Sequence, residues 1–196
     1  IERHLGNTTG RNGRPADPVY SFAVTPPTLT VDVLDQTRRL APDQLAWIIQ
    51  HVDKAVRRLN AAGEVRVRVI DDAEMSKAHL EFADVPGTTD VLTFDMSDHE
   101  LSDLSAGGPT LDCERSGRDV FVLDTDILIC LDEAERHASP GRYPVERELL
   151  LYVVHGVLHC LGMDDHEEAD AAAMHRMEDA VLEAIGVGPV YSARTV

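Results

Sequence analysis

A run of apolar residues interrupted by two histidines constrains the fold of this chain more than any other feature. The segment ELLLYVVHGVLHCLGMDDH, residues 148–166, lacks the alternation of a strand, and its first part predicts a buried helix. Residues four apart on a helix lie about 40° apart around the axis and about 6 Å apart along it. We therefore expect His155 and His159 to project from one face. Gly162 then predicts the helix end, after which the chain can turn back.

A third histidine beyond this turn completes a pattern that is typical of a metal site. His166 lies seven residues after His159, in a loop that can return to the histidine pair. Three neutral imidazoles around a cation leave one position open for water, as at a catalytic zinc. We predict one Zn²⁺ per chain, bound by His155, His159 and His166 on the buried helix and the following loop. Core histidines without a metal, or a purely structural metal, are the alternatives.

The residues that directly follow His155 and His159 indicate which reactions and which ligands are expected at this site. Zinc peptidases with an HExxH motif carry a glutamate as general base, but Gly156 stands in that position here. Cys160 should point away from the metal-facing side and serve as a core thiol. Since Cys113 and Cys130 lie far from it along the chain, we expect three reduced thiols in a cytoplasmic protein.

The rest of the chain alternates between strand-like and helix-like segments, which predicts a single α+β domain. We expect a mixed, largely parallel sheet flanked by helices. Strands are predicted at residues 29–35, 64–71, 89–95 and 119–124, and helices at 42–61, 72–82 with Asp72 as cap, about 131–138 and 167–186.

Two segments do not fit this alternation. Residues 1–28 are rich in Gly, Asn, Thr and Pro and predict a flexible tail, which leaves residues 29–196 as the metal-dependent domain. Residues 96–118, which include His99, predict a polar surface insertion. No apolar run is long enough to span a membrane, and we expect no membrane partner.

Several segments, in the same order, resemble motifs of the YbeY family of endoribonucleases, which are specific for single-stranded RNA. HGVLHCLGMDDH resembles the family signature HGxLHLxGyDH, and TTDVLTFD resembles TDVLSFP. Residues 119–138 resemble the family's GDIxIsxxxAxxqA stretch, and residues 145–156 match the helix that leads to the metal signature. The resemblance covers roughly residues 30–186. It implies a metal-dependent endoribonuclease acting in ribosomal RNA processing, with precursor ribosomal RNA as target and ribosomal particles or ribosomal proteins as partners.

The third metal ligand departs from the family pattern. The family's third histidine lies six residues after the second, whereas His159 and His166 are seven apart. Either the loop bulges and His166 still binds, or Asp165 takes the ligand position with a carboxylate oxygen. We expect His166, because a loop accommodates one extra residue easily.

The sequence also does not indicate which cationic residues would bind the RNA phosphates. Family members often carry an arginine shortly before the TDVL motif, where this chain has Ala83, and His79 stands in place of a common asparagine. The chain has 35 acidic and 18 basic residues and a net charge of −17, which argues against tight independent binding to RNA. Five arginines could still form a local basic cleft: Arg66, Arg68, Arg136, Arg142 and Arg147.

The source of the proton acceptor stays open at this point. Asp164 or Asp165 could hold the attacking water, or the RNA could supply its own 2′-hydroxyl. We expect the strand of residues 89–95 to form one wall of the cleft, with Thr89, Asp90 and Thr93 near the metal. Its apolar residues, Val91, Leu92 and Phe94, should be core, and His175 should be a partly exposed helical histidine.

Two other functions compete with the endoribonuclease. One is a zinc hydrolase of another substrate class, such as a peptide or a small ester. The other is a ribosome assembly factor whose metal is structural.

Overall fold

The computed structural model describes residues 28–97, 120–138 and 143–194. Within these ranges the chain forms four strands and six helices. The predicted tail, most of the polar insertion, and His99, Cys113 and Arg142 lie outside the described residues. No helix in the described ranges is both long and apolar enough to cross a membrane.

Among the described residues, the first four elements alternate between strand and helix as the pattern predicted, and two strands and then four helices follow. The strands are β1 (Leu29–Asp35), β2 (Ala61–Ile70), β3 (Val91–Asp95) and β4 (Phe121–Cys130). The helices are α1 (Pro42–Arg58), α2 (Asp72–Ala83), α3 (Leu131–Ala138), α4 (Val145–Cys160), α5 (Glu168–Ala184) and the short α6 (Tyr191–Arg194).

The four strands form one mixed sheet in the order β1-β2-β4-β3. β1, β2 and β4 are parallel, and β3 pairs antiparallel with β4 at the edge. This confirms the predicted α+β class and the largely parallel sheet. The edge position of β3 matters for function because it brings Thr93, opposite Ile127 of β4, to the border of the sheet.

The main hydrophobic core lies between one face of the sheet and helices α1, α4 and α5. Alternate residues of β4, among them Leu123, Ile127 and Ile129, point into this core because side chains of a strand alternate between faces. The opposite face carries a smaller cluster in which Met75 of α2 packs with Ile70 and Cys130. The sheet is therefore covered on both faces near the carboxyl end of β4.

Several local predictions change in the structure. α1 ends at Arg58 rather than at residue 61, and β2 begins at Ala61 rather than at residue 64. β4 extends to Cys130, beyond the predicted residues 119–124, because it pairs with β2 along its whole length. The N-cap of α2 is Asp71 rather than Asp72, and its Oδ1 accepts the hydrogen bond of the Glu74 amide at 2.9 Å. The carboxylate of Asp72 instead accepts two hydrogen bonds from Arg136, at 2.7 and 2.9 Å.

The close contact between β2 and β4 at Gly63 generates a stability prediction. Gly63 has φ +108, and a Cβ atom there would lie 2.1 Å from the Leu123 carbonyl oxygen. Gly87 has a similar φ of +104 but no atom within 4 Å of a built Cβ, so it is a matched control for backbone strain alone. We expect Gly87→Ala to cost about 1–2 kcal/mol of unfolding free energy, and Gly63→Ala to cost about 1–3 kcal/mol more because it also overpacks the contact with Leu123. Urea denaturation measures both, and equal losses would contradict the steric argument.

Candidate metal centre

His155 and His159 lie where α4 emerges from the core. Between Glu148 and Cys160 they are the only residues of α4 that are not fully buried. Their Nε2 atoms are 3.0 Å apart, and the two ring planes meet at 87°. The four-residue spacing on the helix thus brings both rings to one point, as predicted.

Hydrogen bonds at Nδ1 orient both imidazoles. His159 Nδ1 lies 3.1 Å from the carbonyl oxygen of Met163, and His155 Nδ1 lies 2.7 Å from Oε1 of Glu178. A carbonyl and an ionised carboxylate accept hydrogen bonds, so Nδ1 of each ring donates and each Nε2 faces the other. The space between the rings therefore accommodates one positive charge, either a proton or a metal ion.

The charge state of His155 reflects the same contacts. Burial by itself lowers its pKa, but the hydrogen bond to Glu178 and the nearby carboxylates outweigh this and raise the pKa. A proton on Nε2 would occupy the position that a metal ion requires. Metal binding at this pair must therefore compete with protonation, as is usual for histidine ligands.

Asp165 completes a group of three potential ligands. Its Oδ2 lies 3.7 Å from His155 Nε2, and its Oδ1 lies 3.8 Å from His159 Nε2. The ligand atoms of these three residues lie within 4.8 Å of one another. Two imidazoles and a carboxylate are a donor set that zinc accepts, so the residues present fit a divalent metal.

His166 lies on the outer side of the same loop. Its side chain is 84% exposed, and its Nδ1 is hydrogen-bonded to Oδ1 of Asp164. This hydrogen bond raises the pKa of His166. The described geometry presents the Asp165 carboxylate, rather than the His166 ring, to the histidine pair.

A cleft of about 290 Å³ opens beside the histidine pair. β3 forms one of its walls, which confirms the prediction for this strand and for Thr93, whereas Val91 and Leu92, which were predicted as core, are half-buried and line the cleft. The lining residues are Val91, Leu92, Thr93, Asp95, His155, His159 and Cys160.

The two aspartates at the ends of β3 have different surroundings. Asp90 lies at the start of the strand, where its Oδ1 accepts hydrogen bonds from the Val91 amide and the Thr89 hydroxyl. Asp95, which the pattern did not single out, is among the residues that line the cleft. Its Oδ1 accepts the hydrogen bond of the Ser97 amide at 3.0 Å.

Gly156 allows β3 to approach α4 closely. A Cβ atom at this position would lie 2.4 Å from Thr93 Oγ1 and 3.3 Å from Ile127 Cδ1. A glutamate, the general base of zinc peptidases, has no room there. The absence of that base is thus part of the packing that places Thr93 beside the metal centre.

Cys160 is a core thiol, as predicted. It is buried, and its Sγ donates a hydrogen bond to Thr125 Oγ1 at 3.4 Å. Burial raises its pKa to about 11, so the thiol stays protonated near neutral pH. It is therefore a poor metal ligand although it borders the cleft.

The described cleft is lined by no lysine or arginine. Three of the arginines considered for a basic cleft are engaged elsewhere. Arg66 pairs with Glu64, Asp124 and Asp126, Arg136 pairs with Asp72 and Glu133, and Arg147 donates to the carbonyls of Gly188 and Pro189. Ala83, at the end of α2, is exposed.

A second group of potential ligands lies on the other side of the sheet. Asp72, Cys130 and Asp132 have ligand atoms within 4.8 Å of one another. Arg136 pairs with Asp72 at 2.7 Å and Arg39 with Asp132 at 2.6 Å. Because both carboxylates are already neutralised by guanidinium groups, this cluster is an ion-pair network.

Glu178 is a site residue that the sequence reasoning missed. It is 1% exposed on α5, yet it contacts His155 directly. Its position four residues after Met174 and three before Val181 places a carboxylate on the buried stripe of that helix. A charged residue on an apolar stripe is unusual, and this spacing could have drawn attention to it.

The chain is similar to a known family over most of its length. Residues 31–186 match the family described as endoribonuclease YbeY. An endoribonuclease YbeY of Micrococcus luteus is 31% identical over 80% of this chain and 92% of its own length. One from Staphylococcus aureus is 32% identical over 81% of this chain and 97% of its own length.

A solved structure agrees with the architecture. The solution structure of a Thermotoga maritima protein covers 80% of this chain and 89% of its own, with a TM-score of 0.51 and 20% sequence identity. At this level of identity the likeness concerns the fold.

The contact between Gly156 and Thr93 can be tested with a double-mutant cycle. Alanine favours a helix over glycine by about 1 kcal/mol, yet we expect Gly156→Ala to lower the unfolding free energy by about 1–3 kcal/mol because the site is overpacked. Thr93→Ala removes the Oγ1 atom, so the double variant should recover part of that loss. Chemical denaturation of the four proteins measures the coupling. Strictly additive effects would show that Thr93 is not the limiting contact.

Proposed function

The chain belongs to the family of YbeY endoribonucleases, and from this premise we propose that it cleaves single-stranded RNA at a divalent metal ion held by His155 and His159. It is an endoribonuclease, a hydrolase of RNA phosphodiester bonds, that acts in ribosomal RNA maturation. The observation that carries the proposed site is the pair of Nε2 atoms, 3.0 Å apart, at the edge of an open cleft.

We propose zinc as the metal, one ion per chain, with Asp165 as the third protein ligand. Two observations support Asp165 over His166: its oxygens lie 3.7 and 3.8 Å from the two Nε2 atoms, and His166 is 84% exposed and bonded to Asp164. Asp165 also lies six residues after His159, which is the family spacing without any insertion. Binding through His166 would instead require the loop to turn inward.

The side chains around the cleft have separate tasks. When bound, a metal ion at this position acidifies water and stabilises negative charge on a phosphoryl oxygen. Met163 and Glu178 hold the two imidazoles with Nε2 towards the cleft. Of the two acids first considered as proton acceptor, Asp164 is bonded to His166 and Asp165 faces the histidine pair. We propose Asp95, a residue that lines the cleft on the β3 side, as the proton acceptor.

The net negative charge of the chain supports the involvement of a binding partner in RNA binding. With a net charge of −17 and no cation lining the described cleft, phosphate groups find little attraction beyond the metal itself. We propose that ribosomal particles or ribosomal proteins bring precursor ribosomal RNA to this site and supply the missing positive charge. Such a role belongs in the cytoplasm, where Cys130 and Cys160, both free, would remain reduced.

Metal content tests the ligand set. Purified His159→Ala should lose stoichiometric zinc, because two remaining ligands hold the ion far less tightly than three. Asp165→Ala should lose zinc to a similar extent, and His166→Ala should keep it. His137→Ala, which removes a histidine that is 45% exposed on α3, is the matched control and should keep a full equivalent.

Elemental analysis by mass spectrometry after dialysis reads out all four variants. Zinc retained by Asp165→Ala but lost by His166→Ala would assign the third ligand to His166. A full equivalent of zinc in His159→Ala would refute the site itself.

RNA cleavage tests the activity. The isolated protein should cleave single-stranded RNA slowly, resist a fully paired duplex of the same sequence, and lose activity with a chelator or with His159→Ala. Depleted cells should accumulate unprocessed ribosomal RNA ends. No chelator-sensitive RNA cleavage together with normal ribosomal RNA ends would reject the proposal. Hydrolysis of a peptide or ester by the same preparation would then favour the other hydrolase class.

The same experiment addresses the assembly-factor alternative. The His155 and His159 side chains are 19% and 31% exposed and border the cleft, which supports an accessible rather than an enclosed metal. Zinc bound at full stoichiometry without RNA cleavage, combined with ribosome defects on depletion, would instead indicate a structural metal.

A further inference from the structure

Glu178 is a carboxylate buried inside the protein next to the metal centre. Its side chain is 2% exposed, and its helix α5 surrounds it with the buried residues Met174, Val181 and Leu182. Acidic side chains are almost never fully buried unless they are paired with another group. The partners of Glu178 therefore indicate why it is there.

Both oxygens of Glu178 accept hydrogen bonds from imidazoles. Oε1 lies 2.7 Å from Nδ1 of His155, and Oε2 lies 3.0 Å from Nδ1 of His175. The His175 ring stacks on Tyr191 of α6, with centroids 3.5 Å apart and planes at 11°. A continuous chain of contacts thus runs from the metal centre through Glu178 and His175 to the end of the described fold.

This arrangement is the one that orients a histidine ligand. A carboxylate that accepts the hydrogen bond of Nδ1–H leaves Nε2 directed at the metal and makes Nε2 a more basic metal ligand. A cation beyond His155 would also compensate the negative charge that Glu178 carries into the core. His159, by contrast, is held through the Met163 carbonyl, so the two ligands are supported by different elements.

We propose that Glu178 is a positioning residue of the metal centre, which fixes His155 through Nδ1 and is itself fixed by His175. This proposal rests on the metal centre proposed above and extends it to α5. In consequence, metal affinity depends on a side chain that does not touch the metal, the substrate or the cleft.

Zinc affinity of the full-length protein, measured by competition with a chromogenic chelator, tests this role. Glu178→Gln preserves the size of the side chain but removes its charge, and we expect zinc affinity to fall by about 10–100-fold. Glu183→Gln makes the same change at an exposed position of α5 and should bind zinc as the unchanged protein does. The melting temperature of each metal-free variant separates loss of affinity from loss of folding.

A double-mutant cycle with His155→Ala separates positioning from a general structural effect. If Glu178 acts through His155, Glu178→Gln should not weaken zinc binding further once His155 is absent. Additive losses, or wild-type affinity in Glu178→Gln, would overturn the proposal while leaving the metal centre intact. If the unchanged protein binds no zinc, the proposed function fails instead.

If Glu178→Gln does not fold, the hydrogen bond between His175 and Glu178 provides a second test. His175 is 26% exposed, so His175→Asn can be tolerated, and we expect it to weaken zinc binding several-fold by freeing Oε2 of Glu178. Unchanged affinity in a folded His175→Asn protein, with a folded Glu178→Gln unobtainable, would reject the chain of contacts.

Discussion

The contact of α4 with the edge of the sheet is the constraint on which the site depends. Helix α4 is buried from Glu148 to Cys160 apart from its two histidines, so its position is fixed by the core rather than by the site. Gly156 then lets β3 come near enough for Thr93 to line the same cleft. Because interiors are close-packed, neither element can shift without disturbing the other. The rigidity of the histidine pair is therefore a property of the hydrophobic core.

Electrostatics at the site follow from what surrounds this rigid pair. Asp165 and Glu178 approach it from the loop and from α5, and Asp95 of β3 lines the same cleft. Negative charge gathered from three elements favours a cation between the rings, and it disfavours an unassisted RNA strand. The same feature thus accounts for the fit to a metal ion and motivates the proposal that partners help to bind the substrate. The acidic composition of the chain is compatible with a nuclease activity if a bound metal ion supplies the positive charge at the site.

The sequence was most informative where a pattern depends on local geometry. Helical spacing predicted the histidine pair, alternation predicted β1 within its observed bounds, and Gly162 marked the end of α4, where it has φ +85. The cap of α2 was assigned to Asp72 because two aspartates are adjacent and either can cap a helix. The structure distinguishes them, because Asp71 accepts the hydrogen bond of the Glu74 amide whereas Asp72 is engaged by Arg136.

Features that depend on contacts distant in sequence were not predictable in this way. Glu178 lies 23 residues from His155, and nothing local shows that α5 packs there. Asp95 resembled an ordinary residue at a strand end until the sheet order placed β3 beside α4. The identity of the proposed third ligand was not predictable either. Whether Asp165 or His166 faces the histidine pair depends on the hydrogen bond between Asp164 and His166.

The proposed ligands are divided between a helix and a loop, and this division has a consequence for how such a site evolves. The imidazoles of α4 are tied to the core, whereas Asp165 belongs to a surface loop in which substitutions cost little stability. Exchange of an imidazole for a carboxylate at that loop position moves the donor set towards the hard, oxygen-preferring ions such as Mn²⁺ and Mg²⁺. A single substitution in the loop can thus change which metal ion the site prefers, while the fold that holds the two histidines stays the same.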